Sequence, residues 1–257
     1  RRARQRARRR GARRMSAKSS PVFPPAAVPE PHGAALVADL ERRYVTVVEP
    51  VDVDGETYEI LRPRNSDDLI SEDDYVRDER LPYWADVWPS SRVLAARMRS
   101  VALLDGIGPG ERVLELGCGS GVVAVAAARA GYRVTATDYY EDACRFTRAN
   151  VWRATGTECE ARMVDWREMP ADLGYFDLVL ASDVLYEPRY AELVARAIVR
   201  TLARGGVALV ADPGRLAAPA FLEEARELGL ELRAPEEHRI AANGTHQTIR
   251  IHALRHR

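Results

Sequence analysis

Cysteine is nearly absent: Cys118, Cys144 and Cys159 are the only three in 257 residues. Three cannot staple a disulfide scaffold, and they lack the paired spacing of a zinc site. A reducing, cytoplasmic setting is the simplest reading. Long apolar runs are also missing. The longest, Val122 to Ala128, is followed by Arg129 and falls far short of the roughly 18–20 residues that cross a bilayer. No membrane segment is expected. Histidines 32, 238, 246, 252 and 256 are scattered, so no metal site is expected either. Lysine is reduced to Lys18, and nearly all positive charge is Arg. The chain therefore offers little lysine of its own to modify. Glycine shows no period, which excludes a collagen-like chain, and 46% hydrophobic with 30% charged residues excludes a disordered one.

What is present is unevenly placed. The formal net charge is zero, yet residues 1–14 hold nine arginines and no acid. The remainder carries 29 basic against 38 acidic residues, an excess of nine negative charges. Met15-Ser16-Ala17 reads as a start, with the Arg-rich segment before it outside the native protein. The competing reading makes that segment a nucleic-acid arm or an address signal.

Residues 1–34 read as a disordered tail, basic and then Pro/Ala-rich. Residues 35–101 read as an extension: a short helix from Ala34 to Arg43, a hairpin turning at Asp54-Gly55, and a lid-like aromatic segment, Leu81 to Pro89, leading into a helix. Asn65 to Arg80 is acidic and polar, and reads as loop plus a short helix. Residues 102–257 form the main domain. Strands are expected at 112–116, 132–137, 158–164, 176–181 and 206–211, with helices between them. Continuous apolar strands between helices imply a parallel sheet covered on both faces. The end differs: residues 230–240 and 246–254 flank Asn243-Gly244, a hairpin signal. The fold class is thus α/β: a Rossmann-like, doubly wound, mostly parallel seven-stranded sheet with an antiparallel C-terminal hairpin and an N-terminal β-hairpin before it.

The chemistry concentrates where the first parallel strand meets its helix. Glu115-Leu116-Gly117-Cys118-Gly119-Ser120-Gly121 lets backbone approach a ligand, and the helix beyond offers free N–H groups. Asp138 ends the next strand, where a carboxylate can accept both hydroxyls of a ribose. The spacing is G-x-G-x-G, which departs from the G-x-G-x-x-G of dinucleotide sites and argues against a nicotinamide oxidoreductase. Cys118 reads as a small residue in a tight turn whose backbone can touch a cofactor. Asp165-Trp166 follows the third strand, where an indole can pack on a purine or simply cap the core edge. Ser182-Asp183-Val184-Leu185-Tyr186 follows the fourth.

Glu115, Gly117, Gly119 and Gly121 resemble the E/D-x-G-x-G-x-G motif of class I, seven-β-strand methyltransferases that use S-adenosylmethionine (SAM). Trp88 before Pro89, Asp165-Trp166 and the Asp183 to Tyr186 motif are similar to the lysine-methyltransferase-like branch, with nicotinamide N-methyltransferases as relatives. The resemblance covers residues 80–212, and residues 102–257 would be the methyltransferase domain. It implies SAM, leaving as S-adenosylhomocysteine, held by Trp88, Glu115, the Gly117–Gly121 turn with Cys118 and Gly119, Asp138, Asp165, Trp166 and Ser182. It implies that Asp183 and Tyr186 place the methyl acceptor. The competing reading of Asp183 is an N-cap or turn residue before the helix that starts at Arg189. Three readings stay open: methylation of a protein amine, above all lysine; methylation of a small-molecule amine; and a binding module that keeps the fold without activity. An acidic body favours a basic partner and argues against nucleic acid.

Overall fold

The computed structural model describes residues 30–69, 81–242 and 245–257. The Arg-rich opening, the Met15 start, most of the Pro/Ala stretch, residues 70–80 and the Asn243-Gly244 turn lie outside them. Helix α1 (Ala34–Arg43) leads into β1 (Thr46–Val53) and β2 (Glu56–Pro63). These two strands pair antiparallel in full register, Val53 opposite Glu56. Their two-residue loop is Asp54-Gly55, with both φ angles positive (52° and 80°), the geometry that matches hairpin twist. Pro89 starts α2 (Pro89–Arg97), where its missing N–H is no loss. The chain then tightens into a 3-10 turn at Met98–Ser100 and resumes as α3 (Val101–Asp105).

The main sheet follows: β3 (Arg112–Leu116), α4 (Val122–Arg129), β4 (Arg133–Asp138), α5 (Glu141–Thr155), β5 (Glu160–Met163), β6 (Phe176–Ser182), α6 (Tyr190–Thr201), β7 (Leu202–Asp212), α7 (Ala218–Glu227), β8 (Leu230–Leu232), β9 (Glu236–Ala242) and β10 (Thr245–His256). Strand order is β5-β4-β3-β6-β7-β10-β8, with β9 also on β10. The first five strands are parallel and β10 is antiparallel. The expected last hairpin forms, but its first arm is broken. Leu230–Leu232 and Glu236–Ala242 pair end to end with β10, and Pro235 lies between them. Proline has no N–H to give a ladder. Eight strands therefore occupy seven sheet positions.

Apolar side chains cover both sheet faces. Leu94, Val123 and Ala127 pack with Val113, Leu178 and Leu209 on one side. Val194, Ile198 and Phe221 pack with Leu114, Val179 and Val210 on the other. Helix α4 has no polar face because its first six residues are all buried. A third cluster joins α1 and β2 to α5 through Leu36, Leu40, Leu61, Trp84 and Phe146. Among the described residues no helix is long and apolar enough to cross a membrane. From β3 the chain winds outward to β4 and β5, then returns to lay β6 on the other side of β3. That reversal opens a crevice at the carboxyl ends of β3 and β6, where open α/β sheets bind ligands.

Candidate active site

The crevice holds a cavity of about 360 Å³. Its floor is the turn after β3. Gly121 caps α4 with φ +85°, and a Cβ there would lie 2.8 Å from the Thr147 hydroxyl of α5. At Gly119, φ is +53° and a Cβ would stand 3.0 Å from the Trp84 carbonyl oxygen. Only glycine fits both the backbone angle and the gap. Asp138, at the end of β4, accepts the Gly119 N–H through Oδ2 (2.9 Å) and the Tyr140 N–H through Oδ1 (3.1 Å). The carboxylate is thereby fixed against the turn while still lining the cavity.

Glu115 and Gly121 do not reach the cavity wall. Glu115 is buried behind the turn, and its Oε2 has no hydrogen-bond partner among the described residues. Burial first, then the nearby Asp138 charge, pushes its pKa well above the usual carboxylate range, against a hydrogen bond from the Ala124 backbone. Cys118 lines the cavity, but burial and a hydrogen bond with the Cys144 thiol push its own thiol well up. It is no nucleophile, since only the thiolate attacks.

Aromatic rings wall the rest in edge-to-face or tilted sequence. Trp88 meets Tyr83 (centroids 6.0 Å), Tyr83 meets Tyr186 (5.6 Å), Tyr186 meets Tyr190 (4.9 Å) and Tyr190 meets Trp166 (5.6 Å). The Trp88 indole donates to the Tyr83 carbonyl at 2.9 Å. The Trp166 Nε1 is buried without a hydrogen-bond partner among the described residues. Asp165 beside it accepts the Arg167 N–H and pairs with its guanidinium. Burial, together with the Tyr190 hydroxyl, pushes the Tyr186 phenol far up, so it stays neutral.

Ser182 and Asp183 end β6 on the same wall. Asp183 has φ +58°, a left-handed conformation that Asp tolerates better than most side chains. Its Oδ2 accepts the Ser90 hydroxyl (3.0 Å), and its Oδ1 accepts the Nε–H of Arg215 (2.8 Å) and pairs with Nη2 at 2.7 Å. Asp183 is therefore not a cap on α6. The Arg215 guanidinium also lies 5.3 Å over the Trp88 ring. Asp212, at the end of β7, aims this loop by accepting the Gly214 N–H (2.7 Å) and the Arg215 N–H (2.9 Å).

The cavity thus gathers Trp88, Gly117, Cys118, Gly119, Asp138, Asp165, Trp166, Ser182, Asp183 and Tyr186 from the expected set. Sequence reasoning missed Ser90, Tyr190 and Arg215. One signal pointed to the last: Asp212-Pro213-Gly214-Arg215 follows the carboxyl end of another parallel strand, where sites of this architecture are built. The donor set suits a SAM-sized ligand. The Trp166 Nε1 is buried without a hydrogen-bond partner among the described residues beside the cavity, and the backbone at Gly119 leaves space that a side chain would fill.

Comparisons with known proteins agree. Residues 113–206 match a family described as a methyltransferase domain. The chain is similar to the electron transfer flavoprotein beta subunit lysine methyltransferase of Xenopus laevis, 33% identical over 52% of this chain and 53% of that one. It is also similar to the mouse protein-lysine methyltransferase METTL21E, 32% identical over 43% of this chain and 48% of that one. The chain spans about half the length, or less, of the curated relatives it matches. The fold matches magnesium protoporphyrin IX methyltransferase (ChlM) from Synechocystis PCC 6803, solved with bound SAM. That match has a TM-score of 0.52 at 19% identity, covering 73% of this chain and 94% of the other. Glycine turn, strand order and family match converge on one conclusion: residues 113–206 are similar to a methyltransferase domain, carried on a Rossmann-like fold.

Proposed function

We propose that the protein transfers a methyl group from SAM to an amine, the side-chain amine of a protein lysine. The observation that carries this reading is one cavity that joins the glycine turn and Asp138 to Ser182, Asp183 and Tyr186. Relatives named for lysine methylation support it.

Trp88, the backbone of Gly117 to Gly119 with Cys118, Asp138, Asp165, Trp166 and Ser182 would hold the cofactor. Glu115 and Gly121 would support that turn from beneath. When bound, SAM supplies a methyl group already activated by its sulfonium, and the same contacts would hold S-adenosylhomocysteine afterwards. The chain's own task is alignment and exclusion of water. Asp138 would accept the ribose hydroxyls from its place between the glycine turn and the cavity. Tyr83, Trp88, Tyr186 and Tyr190 form an aromatic wall that favours a cationic or methylated amine nearby. Asp183, locked by Ser90 and Arg215, places the acceptor.

The cavity's 360 Å³ lies near the lower end of small-molecule sites. A cofactor would fill most of it, so the acceptor is met at the rim. Tyr83 (39% exposed) and Tyr186 (41%) offer apolar surface there, which suits a protein better than a metabolite. The acidic body favours a basic protein surface over nucleic acid.

The test is transfer from radiolabelled SAM in a lysate, separated into protein, nucleic-acid and small-molecule fractions, with Asp138→Ala as the blank. Label in protein, absent from the blank, is the expected result. Label confined to the small-molecule filtrate would replace this reading with metabolite methylation. No label despite S-adenosylhomocysteine binding would indicate a binding module.

A further inference from the structure

The acceptor end of the cavity poses an electrostatic difficulty. An ammonium ion has no lone pair, so a lysine amine must lose its proton before reaction. A bare carboxylate beside it would do the opposite and hold the proton on. Asp183 is such a carboxylate, and its neighbours decide its effect.

We infer that Arg215 masks Asp183 and sets the protonation of the acceptor, keeping the incoming amine neutral. The inference rests on the amine reading above. Four observations carry it. Arg215 donates its Nε–H to Asp183 Oδ1 at 2.8 Å, and its Nη2 stands 2.7 Å from the same oxygen as an ion pair. The cation is the more exposed partner, at 34% against 4% for the carboxylate. The guanidinium also rests over Trp88, which fixes it on the wall. Among the described residues it is the single basic side chain lining the cavity. A fixed cation next to an amine favours its neutral form, one of the recognised routes to a reactive lysine.

Other charged groups surround the site. Glu187 lines the cavity and is paired with Arg189 at 2.8 Å. Asp165 is paired with Arg167 and Asp138 with two backbone N–H groups. Asp212 lies behind the Arg215 loop, where burial raises its pKa. Asp86 stands on the segment before α2. The Cys118 thiol and the phenols of Tyr83, Tyr139, Tyr140, Tyr186 and Tyr190 complete the titratable groups of the wall among the described residues. Arg215 is therefore the local counterweight to Asp183.

The reaction balances simply. The ammonium gives its proton to water, and the freed nitrogen lone pair forms the N–C bond to the methyl carbon. The S–C bonding pair stays with the cofactor sulfur, and the positive charge passes to nitrogen.

The test is the pH profile of methyl transfer to a heat-treated bacterial protein extract, for wild type, Arg215→Lys, Arg215→Gln and Arg215→Met. S-adenosylhomocysteine affinity is measured alongside. Wild-type rate should rise with pH to a plateau. In Arg215→Gln and Arg215→Met the midpoint should move up by about one pH unit or more, while Arg215→Lys stays near wild type. An equal loss at every pH, a downward shift, or loss of S-adenosylhomocysteine binding in both neutral variants would overturn the inference in favour of a structural role. No labelled protein with wild type would sink the amine reading itself, a result visible before any variant is compared.

Discussion

The side-chain amide of Asn150 brackets the backbone of Leu61. Its oxygen accepts the Leu61 N–H at 2.8 Å and its nitrogen donates to the Leu61 carbonyl at 2.7 Å. The same nitrogen donates to the Ser120 carbonyl at 2.8 Å. One buried residue of α5 thus clips the N-terminal hairpin to the glycine turn. Two of the groups involved belong to one residue of β2, so no single replacement partner satisfies them. Asn150→Ala should lower stability by about 2–4 kcal/mol, the cost of leaving buried donors and acceptors unmet. Asn150→Asp should be no better, because a carboxylate cannot donate to either carbonyl. Urea unfolding checks the stability loss. An unshifted midpoint would mean that water replaces the amide.

Asp138 faces both the turn and the cavity, so loss of cofactor affinity alone would not separate its two roles. Asp138→Ala should weaken S-adenosylhomocysteine binding by about 1–3 kcal/mol, as expected for hydrogen bonds to a charged group. Wild type should also prefer S-adenosylhomocysteine over its 2′-deoxy analogue, and the variant should lose that preference. Calorimetry with both ligands is the measurement. A preference retained in the variant would reject the ribose contact.

Glu115 links the turn to pH. Its folded-state pKa is raised above the ordinary 4.5 by burial and by Asp138. Above that ordinary value the unfolded chain has released the proton and the folded chain still holds it. Stability therefore falls as pH rises, until pH passes the folded-state pKa. Below the ordinary value both states are protonated and the penalty vanishes. Glu115→Gln should remove this decline, so the gap in Tm between variant and wild type widens in the variant's favour from acid to neutral pH. Parallel Tm curves would show that Glu115 is ionised in the folded protein.

The parts of the site legible in the sequence were local ones. Gly117, Gly119 and Gly121 lie within five residues, and Asp138 ends the adjacent strand, so spacing alone carried their relationship. The contacts that escaped join distant segments. Ser90 reaches Asp183 across 93 positions and Asn150 reaches Leu61 across 89. No periodicity records which loop folds over which strand. Strand boundaries erred for a similar reason. β7 begins at Leu202 rather than Gly206 because Phe176 and the start of β6 extend the pairing past a glycine pair that reads as a turn. The aromatic segment from Leu81 to Trp88 looked uniform in sequence. In the fold its members line the cavity at different depths: Trp84 is buried against Phe146, while Tyr83 is 39% exposed.

On the proposed reading, Asp183 should separate binding from turnover. It lines the cavity, and its carboxylate is committed to Ser90 and Arg215 rather than to the glycine turn. Alanine is a poor probe here, because φ +58° strains a residue without a short polar side chain. Asparagine tolerates that angle, keeps the size and removes only the charge. Asp183→Asn should leave S-adenosylhomocysteine affinity within about threefold of wild type, a difference under 1 kcal/mol. Turnover should fall by about tenfold or more, because an acceptor-placing contact acts on the reacting complex and not on cofactor binding. Calorimetry and a transfer assay on the same preparation give both numbers. A large drop in S-adenosylhomocysteine affinity with unchanged turnover at saturation would assign Asp183 to cofactor support. Asp183 would then be a strut between β6, α2 and the Arg215 loop, and the acceptor would have to be placed by the aromatic wall alone.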